Sequence, residues 1–339
     1  MQGKEKFKSL QFKFMNATQK KKQLMDTITK VLTPLIDNDY VYLDLPYYNN
    51  LGDVLIWEGT KCFLQTLPYK CLYASDIYFY IPRKLHKDVI ILFQGGGNLG
   101  DLYREHSCFR RKIIESYPEN KVIILPQSIY YDDSSLMKED IAFYAKHLNV
   151  IICARDKYSY QFLKDRFQNE IKLVPDMAFF IDLKKYKIPQ SEDRVLYLRR
   201  KDKELSNKNC SEISPVAELH DWPTIECKEK KYEYIDKLFY PIKFLCWLFG
   251  MKYRKLAEDY KRDKFYRPSY VQTGINFISK YSIVYTTRLH ALILSVLLNK
   301  KIFLIDNSTG KLCNFYDTWL SDFDNIIVKN RQNLITPSR

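Results

Sequence analysis

Short apolar runs alternate with helix-like segments from residue 40 to about residue 182, and this alternation constrains the fold more than any other feature of the sequence. The runs are apolar throughout rather than at every second position, as expected for parallel strands that are buried on both faces. We predict strands at 41–45, 70–74, 89–94, 121–127, 150–154 and 171–174, and helices at 54–65, 103–116, 135–147 and 157–167. Strands that alternate with helices in this way predict a Rossmann-like domain with a parallel sheet.

A second series of the same kind follows a polar stretch at 184–193, which contains Pro189 and is the predicted linker. It comprises predicted strands at 195–198, 283–286 and 301–305 and predicted helices at 289–298 and 312–320. The chain of 339 residues is too long for one ordinary hydrophobic core and suits two domains. We therefore predict an α/β protein in which two Rossmann-like domains, 1–185 and 190–339, face a central cleft. This arrangement is that of the GT-B glycosyltransferases.

One aromatic segment departs from this pattern. Residues 238–253 read LFYPIKFLCWLFGMKY and belong to a predicted aromatic and basic insert at about 236–262. The segment contains Lys243 and is too short to span a bilayer. A helix at a membrane surface and a buried helix between the two domains both fit this pattern.

The net charge of +14 indicates an anionic partner, which can be a phosphorylated substrate, an anionic membrane or a nucleic acid. The basic residues are spread over the chain rather than gathered in one arm, so we expect no nucleic-acid partner. Eight cysteines form no CxxC pair, which argues against a zinc site or a disulfide framework. The first residues are charged and lead into no apolar secretory segment, so we expect a cytoplasmic protein, with contact to the inner face of the membrane left open.

Four of the ten glycines fall within residues 95–100, directly after the predicted strand 89–94. The spacing matches GxGxxG, but the glycines follow the third strand and the expected acidic residue is missing, so we do not predict a dinucleotide site. Two interpretations of these glycines remain. They can form a tight turn without a ligand, or a loop that lets a substrate approach the backbone. The residues expected to bind substrate in the second case are Gly95, Gly96, Gly97 and Asn98.

Acidic and amide side chains lie near the ends of two of these strands. Asp101 follows the glycines, where it can cap the next helix or act on a sugar hydroxyl. Asn49 and Asp53 follow the first strand, and Gly52 between them permits a turn. Ligands bind at the carboxyl ends of strands in open α/β sheets. We expect Asp101 to be catalytic, and Asn49 and Asp53 to bind a polar substrate.

In the second half, Arg288 and His290 stand where a predicted strand meets a helix that is otherwise nearly all apolar. An arginine at a helix N-terminus opposes the helix dipole unless an anion joins it, which predicts a phosphate or carboxylate ligand. His290 titrates near neutral pH and can act as a general acid or base, although a lone histidine can also be structural.

Further basic residues follow the other strands of this half. Arg199 and Arg200 are adjacent at a strand end, so only one of them is expected to enter the cleft, and we assign substrate binding to Arg199. Lys311 ends the turn 307–311, which suits a phosphate but lacks the spacing of a P-loop.

Together these motifs resemble the polysaccharide pyruvyl transferases over about residues 40–320. The matching stretches are NLGD at 50–53, FQGGGNLGDLY at 93–103, PQS at 126–128, ARD at 154–156 with SY at 159–160, PD at 175–176, LRRKD at 198–202 and TTRLHALILSVLL at 286–298. Their order and spacing identify the family better than any one of them does. The insert at about 236–262 matches none of these motifs.

The resemblance implies a GT-B-like fold and an enzyme that transfers the enolpyruvyl unit of phosphoenolpyruvate to a sugar. The product is a pyruvate ketal on a surface polysaccharide, an exopolysaccharide or capsule, or on its lipid-linked precursor, and phosphate is released. The resemblance places Arg288 and His290 in the donor-binding motif. It places Arg199 and Lys311 at matching basic positions and Asp101 on the sugar side. Such chemistry requires an acid, a base and a cationic phosphate clamp, and we expect no metal or organic cofactor.

Two other functions fit parts of the same pattern. A GT-B glycosyltransferase that uses a nucleotide sugar would have a similar fold and a similarly basic cleft. A subunit that binds a glycan or a membrane without catalysis would keep the fold but lose the site, and the presence of Arg288 and His290 argues against it.

Overall fold

Two parallel β-sheets covered by helices organise the described part of the chain. The structure is a computed structural model, and it describes residues 16–200, 213–226, 230–306 and 310–330. The α/β class with parallel sheets is as predicted.

The first sheet has the strand order β2-β1-β3-β5-β6-β7, and β4 pairs with β5 beyond the end of β3. The strands are β1 (Tyr40–Leu43), β2 (Cys71–Ser75), β3 (Ile90–Phe93), β4 (Gly96–Gly100), β5 (Val122–Tyr130), β6 (Val150–Ala154) and β7 (Glu170–Leu173). All six predicted strands are confirmed to within a few residues. Their side chains are mostly buried, which explains the continuous apolar runs.

Strand β4 corrects the prediction of a loop at 95–100. Its glycines lie beside β5, with Gly96 opposite Gln127 and Gly100 opposite Tyr130. A Cβ on Gly100 would lie 1.8 Å from the Tyr130 carbonyl oxygen, and the φ of Gly100 is 116°. Only glycine fits both the space and the backbone conformation there, so at this position the glycine serves strand pairing.

Helices cover this sheet. They are α1 (Ala17–Leu32), α2 (Leu51–Leu64), α3 (Arg104–Ser116), α4 (Ser134–Ala145) and α5 (Lys157–Arg166), followed by 3-10 turns at Met177–Phe180 and Leu183–Lys185. The four predicted helices are confirmed. Asn50, Asp133 and Asp156 cap α2, α4 and α5 by accepting backbone N–H groups, which accounts for where these helices begin.

The second sheet has the strand order β12-β11-β10-β8-β9. Its strands are β8 (Glu192–Leu198), β9 (Glu218–His220), β10 (Tyr281–Thr286), β11 (Lys301–Ile305) and β12 (Ile326–Asn330), and its helices include α6 (Pro223–Glu226), α10 (Leu289–Leu297) and α11 (Lys311–Trp319). The three predicted strands and both predicted helices are confirmed. Residues 186–191 connect the last 3-10 turn to β8 with irregular backbone, inside the predicted linker.

The aromatic segment is helical. It lies in α7 (Lys230–Phe249) and α8 (Met251–Lys261), which a π-helical turn at Arg262–Tyr266 joins to α9 (Arg267–Ser279). Phe239 of α7 is buried, whereas Leu238, Tyr240, Ile242 and Phe244 are exposed. Most of the side chains that the structure describes in this segment are exposed, so this segment is not a buried helix. None of the helices in the described ranges has the length and apolar content needed to cross a membrane.

Helices of the two halves pack directly against each other. Helix α2, from the first half, contacts α9 and α10 of the second. A Cβ on Gly274 of α9 would lie 2.8 Å from Cδ2 of Leu51, so α9 and α2 approach closely. This contact brings the start of α2 to the start of α10, where the predicted site residues lie.

Candidate active site

A pocket of about 450 Å³ lies where loops from both sheets meet. Its volume is in the range of small-molecule sites, and its lining residues lie mainly beyond the carboxyl ends of parallel strands. They form a basic group and a group of polar, aromatic and acidic side chains. The basic group comprises Arg155, Arg200, Arg288, His290 and Lys311, and the second includes Tyr48, Asn49, Asn50, Asp53, Tyr78, Asn98, Tyr103, Glu105, His106 and Trp222.

Within the described residues, four cationic side chains line this pocket although they come from distant parts of the chain. Arg155 follows β6, Arg200 follows β8, Arg288 precedes α10 and Lys311 begins α11. Of these, Arg155, Arg288 and Lys311 are buried. Cationic side chains gathered in one pocket suit an anionic ligand, although Arg155 and Arg288 are also paired with aspartates.

His290 is held beside a buried carboxylate. Its Nε2 lies 3.4 Å from Oδ2 of Asp176, and the same oxygen accepts a 2.9 Å hydrogen bond from Nη1 of Arg155. Burial alone would raise the pKa of Asp176, but the charges and hydrogen bonds of His290 and Arg155 and the Ala178 N–H outweigh it and lower this pKa to about 2. Asp176 is therefore ionised at neutral pH and can orient the imidazole of His290 through this contact.

Arg288 is paired within the protein. Its guanidinium donates to both carboxylate oxygens of Asp221, from Nε at 2.5 Å and from Nη2 at 2.6 Å, and Asp221 is fully buried. The position of Arg288 at a helix N-terminus predicted an anion beside it, and the Asp221 carboxylate is in part that anion. Arg288 nevertheless lines the pocket, where the bidentate contact fixes the plane of its guanidinium.

Arg200, and not Arg199, lines the pocket, which corrects the choice made from the sequence. The backbone N–H of Arg199 donates to the His220 carbonyl, so Arg199 still belongs to the pairing of β8 with β9. The N–H of Arg200 donates to Oγ1 of Thr287 at 3.0 Å, one step beyond the strand. The expectation that only one of the two enters the site agrees with this geometry.

Lys311 and Gly97 meet in the pocket. A Cβ on Gly97 would lie 3.5 Å from Nζ of Lys311 and 3.1 Å from Nη2 of Arg155. Gly310, directly before Lys311, has a left-handed φ of 68°. Residues 307–309 of the predicted phosphate-binding turn lie outside the described residues.

The residues of the glycine-rich stretch differ in whether they line the pocket. Gly97 and Asn98 line the pocket, whereas Gly95 and Gly96 are not among its lining residues. A Cβ on Gly95 would lie 2.8 Å from the Pro126 carbonyl oxygen, and Gly96 has a φ of 147°. Close backbone packing accounts for Gly95, and substrate binding by Gly95 and Gly96 stays a prediction.

Asp101 lies away from this pocket, contrary to its predicted position. Its Oδ2 accepts 2.7 Å hydrogen bonds from the N–H groups of Asp132 and Asp133, in a separate surface depression. It does not cap α3 either, because the N-cap residue of that helix is Tyr103. The sequence places Asp101 close to the glycines along the chain, but the turn after β4 leads its side chain to the loop before α4.

The loop before α2 contributes the residues predicted there. Asn49 accepts a 2.8 Å hydrogen bond from the Tyr270 hydroxyl. Asp53 accepts from the Tyr48 hydroxyl at 3.0 Å and from Nδ2 of Asn50 at 2.7 Å. Both Asn49 and Asp53 line the pocket, and their hydrogen bonds hold them in fixed orientations.

Several polar residues of the site were not predicted as site residues. They are Asp44, His106, Arg110, Arg155, Asp176 and Asp221. Asp44 and Arg155 directly follow buried strands, and Asp176 follows the partly buried strand β7 by three positions. A charged residue directly after an apolar run is the signal in the sequence that could have identified these three.

Comparisons with known proteins identify the family of the chain. The family model for polysaccharide pyruvyl transferases matches residues 50–309. EpsO of Bacillus subtilis (strain 168), provisionally named a pyruvyl transferase, is 36% identical over 308 residues, which cover 89% of this chain and 90% of EpsO. Pyruvyl transferase 1 of Schizosaccharomyces pombe is 29% identical over 296 residues, covering 82% of this chain and 69% of that protein.

A solved structure shares the fold. The crystal structure of an uncharacterised protein from Klebsiella pneumoniae superposes with a TM-score of 0.55 at 21% identity, covering 91% of this chain and 98% of the other. The family model spans most of the chain, and EpsO is similar over nearly its whole length. The chain belongs to the polysaccharide pyruvyl transferase family.

Proposed function

We propose that this transferase moves the enolpyruvyl unit of phosphoenolpyruvate to a sugar and closes a pyruvate ketal, releasing phosphate. The observation that supports this most directly is that four cationic side chains and a carboxylate-paired histidine line one pocket. In this proposal the pocket is the cleft between two Rossmann-like domains of a GT-B-like enzyme.

The basic group would bind the donor. Phosphoenolpyruvate carries a phosphate and a carboxylate, and guanidinium groups bind both with paired hydrogen bonds. Arg155 and Arg288 are each oriented by an aspartate, so their positions are set before a ligand arrives. Arg200 and Lys311 supply two further positive charges from the loops after β8 and β11.

His290 would transfer a proton to the donor. The electrons of the C2=C3 double bond take up a proton at C3, which leaves a positive centre at C2. The oxygen of a sugar hydroxyl then bonds to C2, and phosphate leaves with the electrons of its C2–O bond. A second hydroxyl bonds to C2 and completes the ketal. The Asp176 carboxylate lies 3.4 Å from Nε2 of His290 and can fix the orientation of the ring for this transfer.

The second group of lining residues suits a sugar. Asn49, Asp53 and Asn98 offer amide and carboxylate groups for hydroxyls, and the Trp222 ring also lines the pocket. The acceptor that we propose is a sugar of a surface polysaccharide, either an exopolysaccharide or a capsule, or its lipid-linked precursor. The proposed reaction requires no metal and no organic cofactor.

The exposed apolar side chains of α7 support a peripheral contact with a membrane. Leu238, Tyr240, Ile242 and Phe244 are exposed on one helix, and the sequence continues with the basic residues Lys252 and Arg254. Apolar groups beside basic ones are what an interfacial helix requires. We propose that the enzyme works in the cytoplasm, at the inner face of the membrane.

The test is a donor screen. The wild-type protein is incubated with phosphoenolpyruvate and candidate sugars, and phosphate release is measured together with the mass gain of the sugar, equal to one pyruvate less one water. His290→Ala should lower the rate by about 10²-fold to 10⁴-fold, the usual contribution of a general acid. Release of UDP or GDP from a nucleotide sugar, without turnover of phosphoenolpyruvate, would assign the protein to the glycosyltransferases instead.

A further inference from the structure

A second pairing of histidine with aspartate lines the same pocket. Nδ1 of His106 lies 2.6 Å from Oδ1 of Asp44. The Asp44 side chain is 0% exposed and that of His106 is 8% exposed. When the ring is neutral and Nδ1–H donates to Asp44, Nε2 is the ring atom that can accept a proton.

Asp44 is held in an unfavourable backbone conformation. It follows β1 with a φ of 67°, which side chains with a Cβ rarely adopt and which costs free energy. Its other oxygen, Oδ2, accepts from Nη2 of Arg110 at 2.7 Å and from Nε at 3.1 Å. A buried ion pair contributes little to stability, because the desolvation of its charges offsets their attraction, and a strained backbone lowers stability further. The arrangement is better explained by the orientation that it gives to His106.

The same arginine fixes a pocket residue. Nη1 of Arg110 donates to the Asn98 carbonyl at 3.3 Å, and Nη2 donates to Oδ1 of Asn98. Arg110 thus links Asp44, and through it His106, to a part of β4 that lines the pocket. His106 and Asn98 are held in one fixed relationship.

The groups around His106 differ from those around His290. Oε1 of Glu105 lies 3.9 Å from Nε2 of His106, and the Tyr48 ring lies edge-on at 6.1 Å. The Tyr48 hydroxyl in turn donates to Asp53. His106 therefore belongs to the polar and acidic group of the lining, where a neutral sugar fits better than an anionic donor.

The proposed reaction needs two proton transfers at different substrates. The donor gains a proton at C3, and the acceptor loses one from each hydroxyl that attacks C2. We infer that His106 accepts the proton of the attacking hydroxyl and that Asp44 is its positioning residue, an inference that rests on the proposed function. The O–H bond breaks, its proton moves to Nε2, and the oxygen forms the new bond to C2. Of the two hydroxyl protons lost in all, one replaces the proton given to C3 and the other leaves with phosphate.

The experiment compares His106→Gln with His86→Gln, a control at a histidine that is 73% exposed and remote from the pocket. The protein is the full chain, and the sugar is the acceptor identified with the wild type. His106→Gln should lower kcat by about 10²-fold to 10⁴-fold and keep the rise in melting temperature caused by phosphoenolpyruvate.

Asp44→Asn and His106→Ala give independent measurements. Asp44→Asn should lower kcat with little change in the KM for phosphoenolpyruvate, because it misorients the ring without touching the donor. His106→Ala should regain activity when imidazole is added, which a purely structural histidine would not allow. If His106→Gln does not fold, the imidazole rescue of His106→Ala and the kcat of Asp44→Asn still decide the question.

The outcomes separate this inference from the proposed function. A wild type that turns over phosphoenolpyruvate while His106→Gln stays within about twofold of it, against the far larger loss expected for a base, overturns the inference alone. Loss of the phosphoenolpyruvate-induced shift in His106→Gln also overturns it, because His106 would then serve the donor. A wild type without any phosphoenolpyruvate turnover overturns the proposed function itself.

Discussion

Gly52 lies directly against His290, because a Cβ built on Gly52 would stand 2.5 Å from Nδ1 of the imidazole. Gly52 is in the first turn of α2, and His290 is in the first turn of α10. The contact therefore joins the two halves of the chain at the pocket. It also limits how the imidazole can turn while Nε2 faces Asp176.

We expect Gly52→Ala to lower activity more than stability. The added methyl group must displace the imidazole and disturb its contact with Asp176, so kcat should fall about tenfold or more, the scale of general acid catalysis being ~10²-fold or greater. Alanine is about 1 kcal/mol better than glycine in a helix, which offsets part of the steric cost in α2. The measurements are kcat and thermal unfolding, and an unchanged kcat would contradict the role given to this contact.

Asp176→Asn should affect both catalysis and stability. It removes the charge opposite His290 and leaves Arg155 buried without its carboxylate partner, a change that typically costs roughly 3–5 kcal/mol. Phosphate release should fall together with the free energy of unfolding measured in denaturant. A variant with wild-type activity would show that His290 does not depend on Asp176.

The low pKa of Asp176 predicts an acid-sensitive fold. This pKa is about 2 in the folded protein and about 3.9 for an unfolded carboxyl group. The ionised form therefore stabilises the fold above about pH 4, and that contribution, on the order of 2 kcal/mol, is lost as the pH falls towards 2. The free energy of unfolding should decline less steeply in this window for Asp176→Asn than for the wild type. Equal slopes would contradict the assignment.

Arg200 and Arg199 form a matched pair for testing the donor site. Arg200→Ala removes a charge that lines the pocket, and the loss of a charged hydrogen bond, about 1.5–3 kcal/mol, corresponds to a KM for phosphoenolpyruvate roughly 10-fold to 150-fold higher. Arg199→Ala should leave this KM nearly unchanged, because Arg199 lies outside the lining. The reverse result would restore the choice made from the sequence.

Strands β9 and β12, at the two edges of the second sheet, escaped prediction, whereas the other apolar strands could be predicted because buried parallel strands are apolar throughout. Strand β4 could not, since glycines have no strand propensity and β4 forms only because the glycine backbone can approach β5. Helix α1 also escaped prediction. Its buried apolar residues are Leu24, Ile28 and Leu32, which stand in a polar, lysine-rich stretch.

The residues of the site could also be predicted only in part. Arg288 and His290 could be recognised because they interrupt an apolar helix start. Their partners could not, because Asp221 lies 67 residues from Arg288 and Asp176 lies 114 residues from His290. Such pairings depend on how the two halves pack, which local sequence does not specify. Asp101, in contrast, was predicted to lie in the site and does not. It is close to the glycines along the chain, but its side chain contacts the loop before α4.

The exposed face of α7 should bind anionic membranes. Tyr240 is 71% exposed and Phe244 is 57% exposed, and burying such side chains in an interface stabilises binding by about 1.5–3 kcal/mol each. The double variant Tyr240→Ser and Phe244→Ser should therefore sediment several-fold less with anionic vesicles than the wild type. Leu148→Ser is the control, since Leu148 is 62% exposed in the turn between α4 and β6 and should have no effect. Equal sedimentation of the double variant and the wild type would show that α7 makes no membrane contact, and the acceptor would then have to reach the pocket without it.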